Sequence, residues 1–261
     1  APYYAEFGLG DVAAPKAGAP TFGDEILDVL LACGPKVVSF HFGLPSAHAV
    51  DALKRAGVKL IGNATHVAEA RALEAGGMDA IIAQGAEAGG HRGAFIGAPH
   101  ENDMGTMALV PLVVDAVSVP VIAAGGIFDG RGVAAAMMLG ASGAQIGSAF
   151  LRAPESSAHA LHKQALAETP DNTTKLTRVF TGRPARSLRN RLVRELSANE
   201  GDAAPFPMQR AVSAPLAKAA GDRGSADFMP LWSGQAGSRA EAAPAAEIFQ
   251  RICKEALTLL R

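Results

Sequence analysis

The stretch "VPVIAAGGIFDGRGVAAAMMLG" (119–140) decides the architecture. Its first part, "VPVIAAGG" (119–126), is continuously apolar and ends in two glycines. Its second, "GRGVAAAMMLG" (130–140), repeats apolar residues at three- and four-residue steps and closes on glycine. A run apolar without alternation suits a strand buried on both faces, as in a parallel sheet. The second pattern suits a helix ended by a glycine cap. One βα unit is therefore written into 22 consecutive residues.

The same unit recurs on both sides. Apolar runs lie at "KVVSFHFG" (36–43), "KLIGNAT" (59–65), "DAIIAQG" (79–85) and "SGAQIGSAF" (142–150). Helical patterns lie at "SAHAVDALKRAG" (46–57), "HVAEARALEAGG" (66–77) and "MALVPLVVDAV" (107–117). Alternation of this kind implies parallel strands with helices packed outside. Run starts near 36, 59, 79, 119 and 143 are spaced by about 20 to 24 residues, except for one step of 40. The long step holds "AEAGGHRGAFIGAPHEND" (86–103), a loop at the C-terminal end of its strand, where parallel α/β folds carry their chemistry.

From 154 the character changes. "PESSAHALHKQALAE" (154–168) reads as a helix capped by "PESS", and "DNTTKLTRVFTGRPARSLRNRLVREL" (171–196) as a short extended piece and a basic helix. Two Pro- and Gly-rich stretches, 201–209 and 221–240, read as loops. "PAAEIFQRICKEALTLLR" (244–261) is an amphipathic helix. The expected division is 1–153, five βα units, and 154–261, a helical and loop extension packed on them.

Composition excludes several classes. With 24 basic and 25 acidic residues, a net charge of −1 and 49% hydrophobic residues, the 261-residue chain offers no basic surface for nucleic acid or membrane. No apolar run approaches the roughly 20 residues of a membrane span, and no signal peptide is legible. Cys33 and Cys253 show no metal or redox spacing, so free buried thiols in a reducing cytoplasm are expected. The chain starts without methionine, in a polar stretch that reads as the remainder of a longer protein.

Candidate functional residues follow the strands. Glycine at "AAGGIFDGRG" (123–132) and "QIGSAF" (145–150) lets an anion reach backbone N–H groups at the helix starts expected there, so Gly125, Gly126, Gly147 and Ser148 read as a phosphate cradle. Asn63 and Gln84 end their strands as amides able to bond a cofactor, although Asn63 is equally a turn former. His91 stands among glycines in "QGAEAGGHRG" (84–93), uncrowded and open to a bound molecule, or else simply solvated. Glu87 either orients that imidazole or is solvated. Arg92 either steers an anion or is an ordinary exposed arginine. His41 reads as a core or rim histidine or a catalytic one. "PHEND" (99–103) reads as a solvated loop rather than a metal site. No G-x-G-x-x-G, P-loop or G-x-S-x-G pattern is present.

"AQGAEAGGHRG", "PVIAAGGIFDGRG", "GASGAQIGSAFL" and "MPLWSGQAG", with "VVSFHFGLP" and "KLIGNAT", together resemble the FMN-dependent nitronate monooxygenases, formerly 2-nitropropane dioxygenases, from about residue 36 to the end. The resemblance implies a TIM (β/α)8 barrel holding FMN at its C-terminal face, with Gly125, Gly126, Gly147 and Ser148 on the phosphate. Asn63, Gln84, Gly85 and Gln235 complete the implied cofactor set. It implies that His91 is the base acting on nitroalkanes and that dioxygen reoxidises the flavin, giving a carbonyl compound and nitrite. An imidazole, with an ordinary pKa of about 6.5, is matched to such a carbon acid. Against the family pattern, about three N-terminal βα units are expected to lie outside this chain, supplied by a preceding or separate segment. A homo-oligomer is the other partner expectation. Two alternatives stand beside this reading: a flavin-dependent enoyl-acyl-carrier-protein reductase using a nicotinamide, and an inactive fragment that binds a phosphate ligand or a partner chain.

Overall fold

A computed structural model describes residues 2–11, 22–98, 103–171 and 173–261. The first half runs α1 (Pro2–Glu6), α2 (Asp24–Cys33), β1 (Val37–Phe40), α3 (Ala47–Arg55), β2 (Lys59–Ala64), α4 (Val67–Ala75), β3 (Ala80–Gln84), β4 (Gly90–His91) and α5 (Thr106–Val114). The second runs β5 (Val121–Ala124), α6 (Gly130–Met138), β6 (Gly143–Gln145), α7 (Ala160–Glu168), β7 (Thr174–Thr177), β8 (Ala185–Leu188), α8 (Arg191–Glu195), α9 (Gln209–Asp222) and α10 (Ala245–Leu259). Among the described residues no helix is long and apolar enough to cross a membrane.

The elements fall into two compact units. The parallel unit takes Pro20–Ala88, Arg92–Ile146 and Phe249–Arg261, as far as they are described. It is the α/β fold with a parallel sheet that the five apolar runs foretell: strand order β1-β2-β3-β5-β6, every pairing parallel. Burial follows position in the sheet. The central strands β2, β3 and β5 are mostly buried along their length, while β1 and β6 at the edges are half open. Leu53, Leu60, Leu73, Ile81, Leu109, Val110 and Val113 are fully buried in its core. Each contributes about 1.5–3 kcal/mol by removal from water.

The antiparallel unit takes Ala1–Ala19, Gly89–His91 and Gly147–Ile248, again as far as described. Its sheet has the order β4-β8-β7, all antiparallel. Its main core gathers Tyr4, Val179, Phe180, Leu192, Val193, Leu216, Ala220 and Phe228. Tyr4 Oη donates to the Val212 carbonyl at 2.7 Å, pinning α1 to α9.

Several expectations are corrected here. The helix read over 154–168 begins only at Ala160, because the His159 imidazole, not "PESS", caps it through Leu161 N–H. Glu155 accepts instead from Ala245 N–H, and Ser156 Oγ from Ala158 N–H. The stretch 171–196 holds two strands rather than one extended piece, since β7 and β8 pair through Thr174–Leu188 and Thr177–Ala185. Helices α2 and α9 were not read from the sequence. Cys33 is exposed and Cys253 half-buried, because both sit on the outer helices α2 and α10, and neither is disulfide-bonded. The first residue of the chain and 99–102 of "PHEND" lie outside the described residues.

Candidate functional site

In a parallel sheet the C-terminal strand ends share one edge, and side chains there are aimed by the ladder beneath them. Asn63 ends β2 and Gln84 ends β3, and both are buried. Asn63 Nδ2 donates to Gln84 Oε1 at 3.4 Å, and Gly93 N–H donates to the same oxygen at 2.9 Å. The Arg92 guanidinium donates to the Gln84 carbonyl at 2.6 Å. Gly93 has to be glycine: a Cβ would come within 2.0 Å of Asn63 Nδ2 and 2.8 Å of His41 Cε1. Arg92 is thus corrected from an exposed arginine to a fully buried one. His41, just past β1, is exposed, and with Asn63 it stands over Gly93.

A carboxylate not singled out in the sequence secures this edge. Glu69, in the first turn of α4, is fully buried. One of its oxygens accepts from Thr65 N–H and Thr65 Oγ1, each at 2.7 Å; the other accepts from Phe95 N–H and from Ile96 N–H at 3.0 Å. His66 Nε2 stands 3.6 Å away. The available signal was a glutamate in the first turn of a helix, where it can reach back to orphan donors.

The glycine pair after β5 adopts the conformation its sequence implies. Gly125 and Gly126 have φ of +111° and +70°, a region closed to most side chains. Beneath them, Thr106 Oγ1 lies 2.8 Å from the Gly125 carbonyl, and Glu87 accepts Thr106 N–H at 2.9 Å from both oxygens. Glu87 therefore caps α5, which Gly105 cannot do, and the expectation of a solvated Glu87 is corrected. Gly85 passes so close that a Cβ would meet Thr106 Oγ1 at 2.0 Å and Glu87 at 2.4 Å. The helix start expected to hold an anion is also corrected. Asp129 accepts Arg131 and Gly132 N–H, and Glu255 accepts Gly130 N–H at 2.8 Å, so side-chain carboxylates satisfy the first turn of α6.

The antiparallel unit carries the other candidates. His91 is not in a free loop but in β4, opposite Ala185 of β8. Its Nε2 is 2.8 Å from Thr181 Oγ1. Its ring lies 5.6 Å from Phe206, edge-on, and 5.5 Å from Trp232. The histidine that looked uncrowded is held by a hydroxyl between two aromatic rings, drawn from segments far along the chain. Gly89 runs against Gly234, where a Cβ would lie 2.5 Å from its nitrogen, and Gly234 N–H donates to Ser148 Oγ at 2.9 Å. The strand of His91, Ser148 and the "SGQ" loop bearing exposed Gln235 are thereby brought together. Gly147 is exposed, with open space where a Cβ would be, and leads into a single 3-10 turn, Ser148–Phe150, rather than the α-helix expected.

His162 on α7 is buried behind this loop, hydrogen-bonded to the Trp232 backbone. Burial pushes its pKa below the ordinary value, the Trp232 bond opposing. Unfolded, the ring takes a proton near pH 6.5; folded, only at lower pH. Stability from this group is therefore complete above about pH 6.5 and falls as the pH drops through that value. Denaturant unfolding at about pH 7.5 and pH 5.5 is expected to show a smaller pH difference for His162→Gln than for the unaltered chain.

Comparison with known proteins sets this geometry in context. Residues 12–255 match the family model described as nitronate monooxygenase. A probable nitronate monooxygenase of Staphylococcus aureus (strain Newman) is 45% identical over 230 residues, covering 88% of this chain; the chain spans 65% of that relative's length. One from Staphylococcus saprophyticus is 40% identical over 98% of this chain and 72% of its own. Among solved structures, the nitroalkane oxidase from Streptomyces ansochromogenes superposes with a TM-score of 0.92 at 41% identity, over 99% of this chain and 74% of that one. FabK from Thermotoga maritima gives 0.75 at 33% identity, over 90% and 72%.

Proposed function

Because the chain belongs to the nitronate monooxygenase family, we propose that it takes part in the FMN-dependent oxidation of alkyl nitronates and nitroalkanes by dioxygen. The observation that carries this reading is His91, an imidazole fixed on a paired strand by Thr181 and flanked by Phe206 and Trp232. A base in surroundings that are apolar on two sides and hydrogen-bonded on a third suits proton removal from a weakly acidic C–H group. The C–H bond breaks, its electron pair passes into the nitro group to give the nitronate, and the proton goes to the imidazole. The aromatic rings favour the alkyl part of the substrate.

The residues fit a flavin. Taken unit by unit, Gly125 and Gly126 of the parallel unit are left-handed, and Gly147 of the antiparallel unit is exposed with open space beside it, features that suit close approach of a phosphate to backbone. Ser148 adds a hydroxyl. Asn63 and Gln84, with Gly85 beside them, offer buried amide edges suited to a planar heterocycle, and Gln235 is exposed for a further contact. Bound FMN supplies the electron acceptor that hands electrons to dioxygen, leaving a carbonyl compound and nitrite. In this reading the five-stranded sheet is part of a (β/α)8 barrel, residues 1–153 supply the flavin-binding units and 154–261 the extension. The protein works in a reducing cytoplasm.

The test is an absorbance spectrum of the purified protein. It is expected to show a flavin band, as isolated or after FMN is added, that bleaches when a nitronate is added without oxygen and returns with air. Protein that takes up no FMN ends the reading. A flavin band that NADH or NADPH bleaches and a nitronate does not would assign the enoyl reductase instead.

A further inference from the structure

We propose that the turn 233–237 is a positioning element for Ser148: the Gly234 N–H holds the Ser148 oxygen from one side, leaving the hydroxyl proton to be donated to the phosphate of a bound flavin. This rests on the reading of the protein as FMN-dependent, and every residue involved belongs to the antiparallel unit. Ser148 is half-buried at the start of the 3-10 turn Ser148–Phe150. Its Oγ accepts from Gly234 N–H at 2.9 Å, and among the described residues no acceptor takes its proton. A hydroxyl has one proton and two lone pairs. A proton turned toward Gly234 would meet the amide hydrogen head-on. It therefore points away from the turn, where an incoming acceptor can use it. Phosphate oxygens are acceptors that carry charge, so a hydroxyl held as a donor suits them.

The turn is braced so that this N–H keeps its aim. Ser233 is fully buried, and its N–H donates to the Arg186 carbonyl of β8 at 3.2 Å. Leu231 N–H donates to Ser187 Oγ at 3.2 Å, and Trp232 pairs with Ser187 as an antiparallel bridge. The Gly234 carbonyl accepts twice, from Ser233 Oγ and from Gly237 N–H, each at 3.0 Å. Gly237 closes the turn tightly, since a Cβ there would collide with Ser233 Oγ. Gly89 presses from another side: a Cβ on it would lie 2.5 Å from the Gly234 nitrogen and 2.6 Å from the Ser233 carbonyl carbon. The peptide group aimed at Ser148 is thus packed against bare backbone one residue before β4. That contact accounts for one of the glycines ahead of His91 without calling on room for a ligand.

This arrangement distinguishes a flavin with a phosphate from one without. Riboflavin has the same ring system but ends its side chain in a neutral hydroxyl. The donor at Ser148 then meets no charge, and its contribution shrinks to that of an ordinary hydrogen bond exchanged with water.

The inference is tested on the full chain by titrating it into FMN and into riboflavin and following flavin fluorescence. Ser148→Ala is expected to weaken FMN binding by about tenfold, the size of one hydrogen bond to a charged group, and riboflavin binding by less than about twofold. Ser148→Thr, which keeps the hydroxyl, is expected to restore the preference for FMN. Gly89→Ala, which drives a methyl into the 233–234 peptide, is expected to reduce the preference by a similar factor. It is expected to add nothing in a chain that already carries Ser148→Ala. Hydrogen exchange at the Gly234 amide reads the same bond without flavin, and is expected to quicken in Ser148→Ala and in Gly89→Ala. Equal losses on both flavins overturn the inference, because Ser148 would then only support the unit. So does a Gly234 amide that exchanges equally fast with and without the hydroxyl, or a Gly89→Ala effect that adds in full to Ser148→Ala. Should Gly89→Ala fail to fold, the Ser148 variants and the amide exchange decide alone. An unaltered chain that takes up neither flavin refutes the FMN reading itself, and the inference falls with it.

Discussion

His91→Asn is expected to lower turnover of a neutral nitroalkane by about 10²- to 10³-fold, the usual contribution of a positioned general base. Oxidation of the corresponding preformed nitronate is expected to fall by less than about tenfold, because the C–H bond is already broken. Asparagine keeps a polar group on β4 and leaves the Ala185 pairing to the backbone, so the strand is expected to persist. Parallel oxygen-uptake assays on the two substrates separate the outcomes. Equal loss on both would mean that His91 holds the site together rather than moving a proton, and the proposed chemistry would need another base.

Glu69→Gln is expected to destabilise the chain by about 3 kcal/mol, a large share of the stability of an ordinary domain. The change is nearly isosteric, but it replaces an acceptor-only group with one that is half donor. Both oxygens are occupied, one by two donors of Thr65 and the other by the N–H groups of Phe95 and Ile96. Turned toward Phe95 and Ile96, its NH₂ faces two N–H donors; turned toward Thr65, it faces one N–H and a hydroxyl that must rotate to accept, all inside a fully buried site. Urea unfolding followed by circular dichroism measures the loss. A change below about 0.5 kcal/mol would show that water reaches these N–H groups and that the carboxylate does not hold the 93–97 segment.

The βα series was legible because its signal is local. Continuous apolar runs such as "AIIAQ" can be buried on both faces only in a central parallel strand, and β3 is buried through all but its first residue. The glycines after β5 were legible for the same reason, since their left-handed backbone needs no distant partner. The environment of His91 was not. Thr181 lies 90 residues away, and the two-residue strand β4 is too short to show a period. Glycines around a histidine suggest space, yet here they let backbone come close: Gly89 is pressed against Gly234, and the room is filled by Phe206 and Trp232.

Sequence alone determined the parallel α/β character, the strand ends that carry the amides and glycines, and the family resemblance, because each is written in periodicity or in short contiguous motifs. Tertiary structure decided which groups those residues meet: Glu255 rather than an anion at the start of α6, Thr106 rather than solvent on Glu87, a hydroxyl and two rings around His91. Hydrogen-bond partners far apart in the chain leave no pattern in either stretch. Only the folded backbone, by closing long loops, selects among the many donors and acceptors that local sequence makes available.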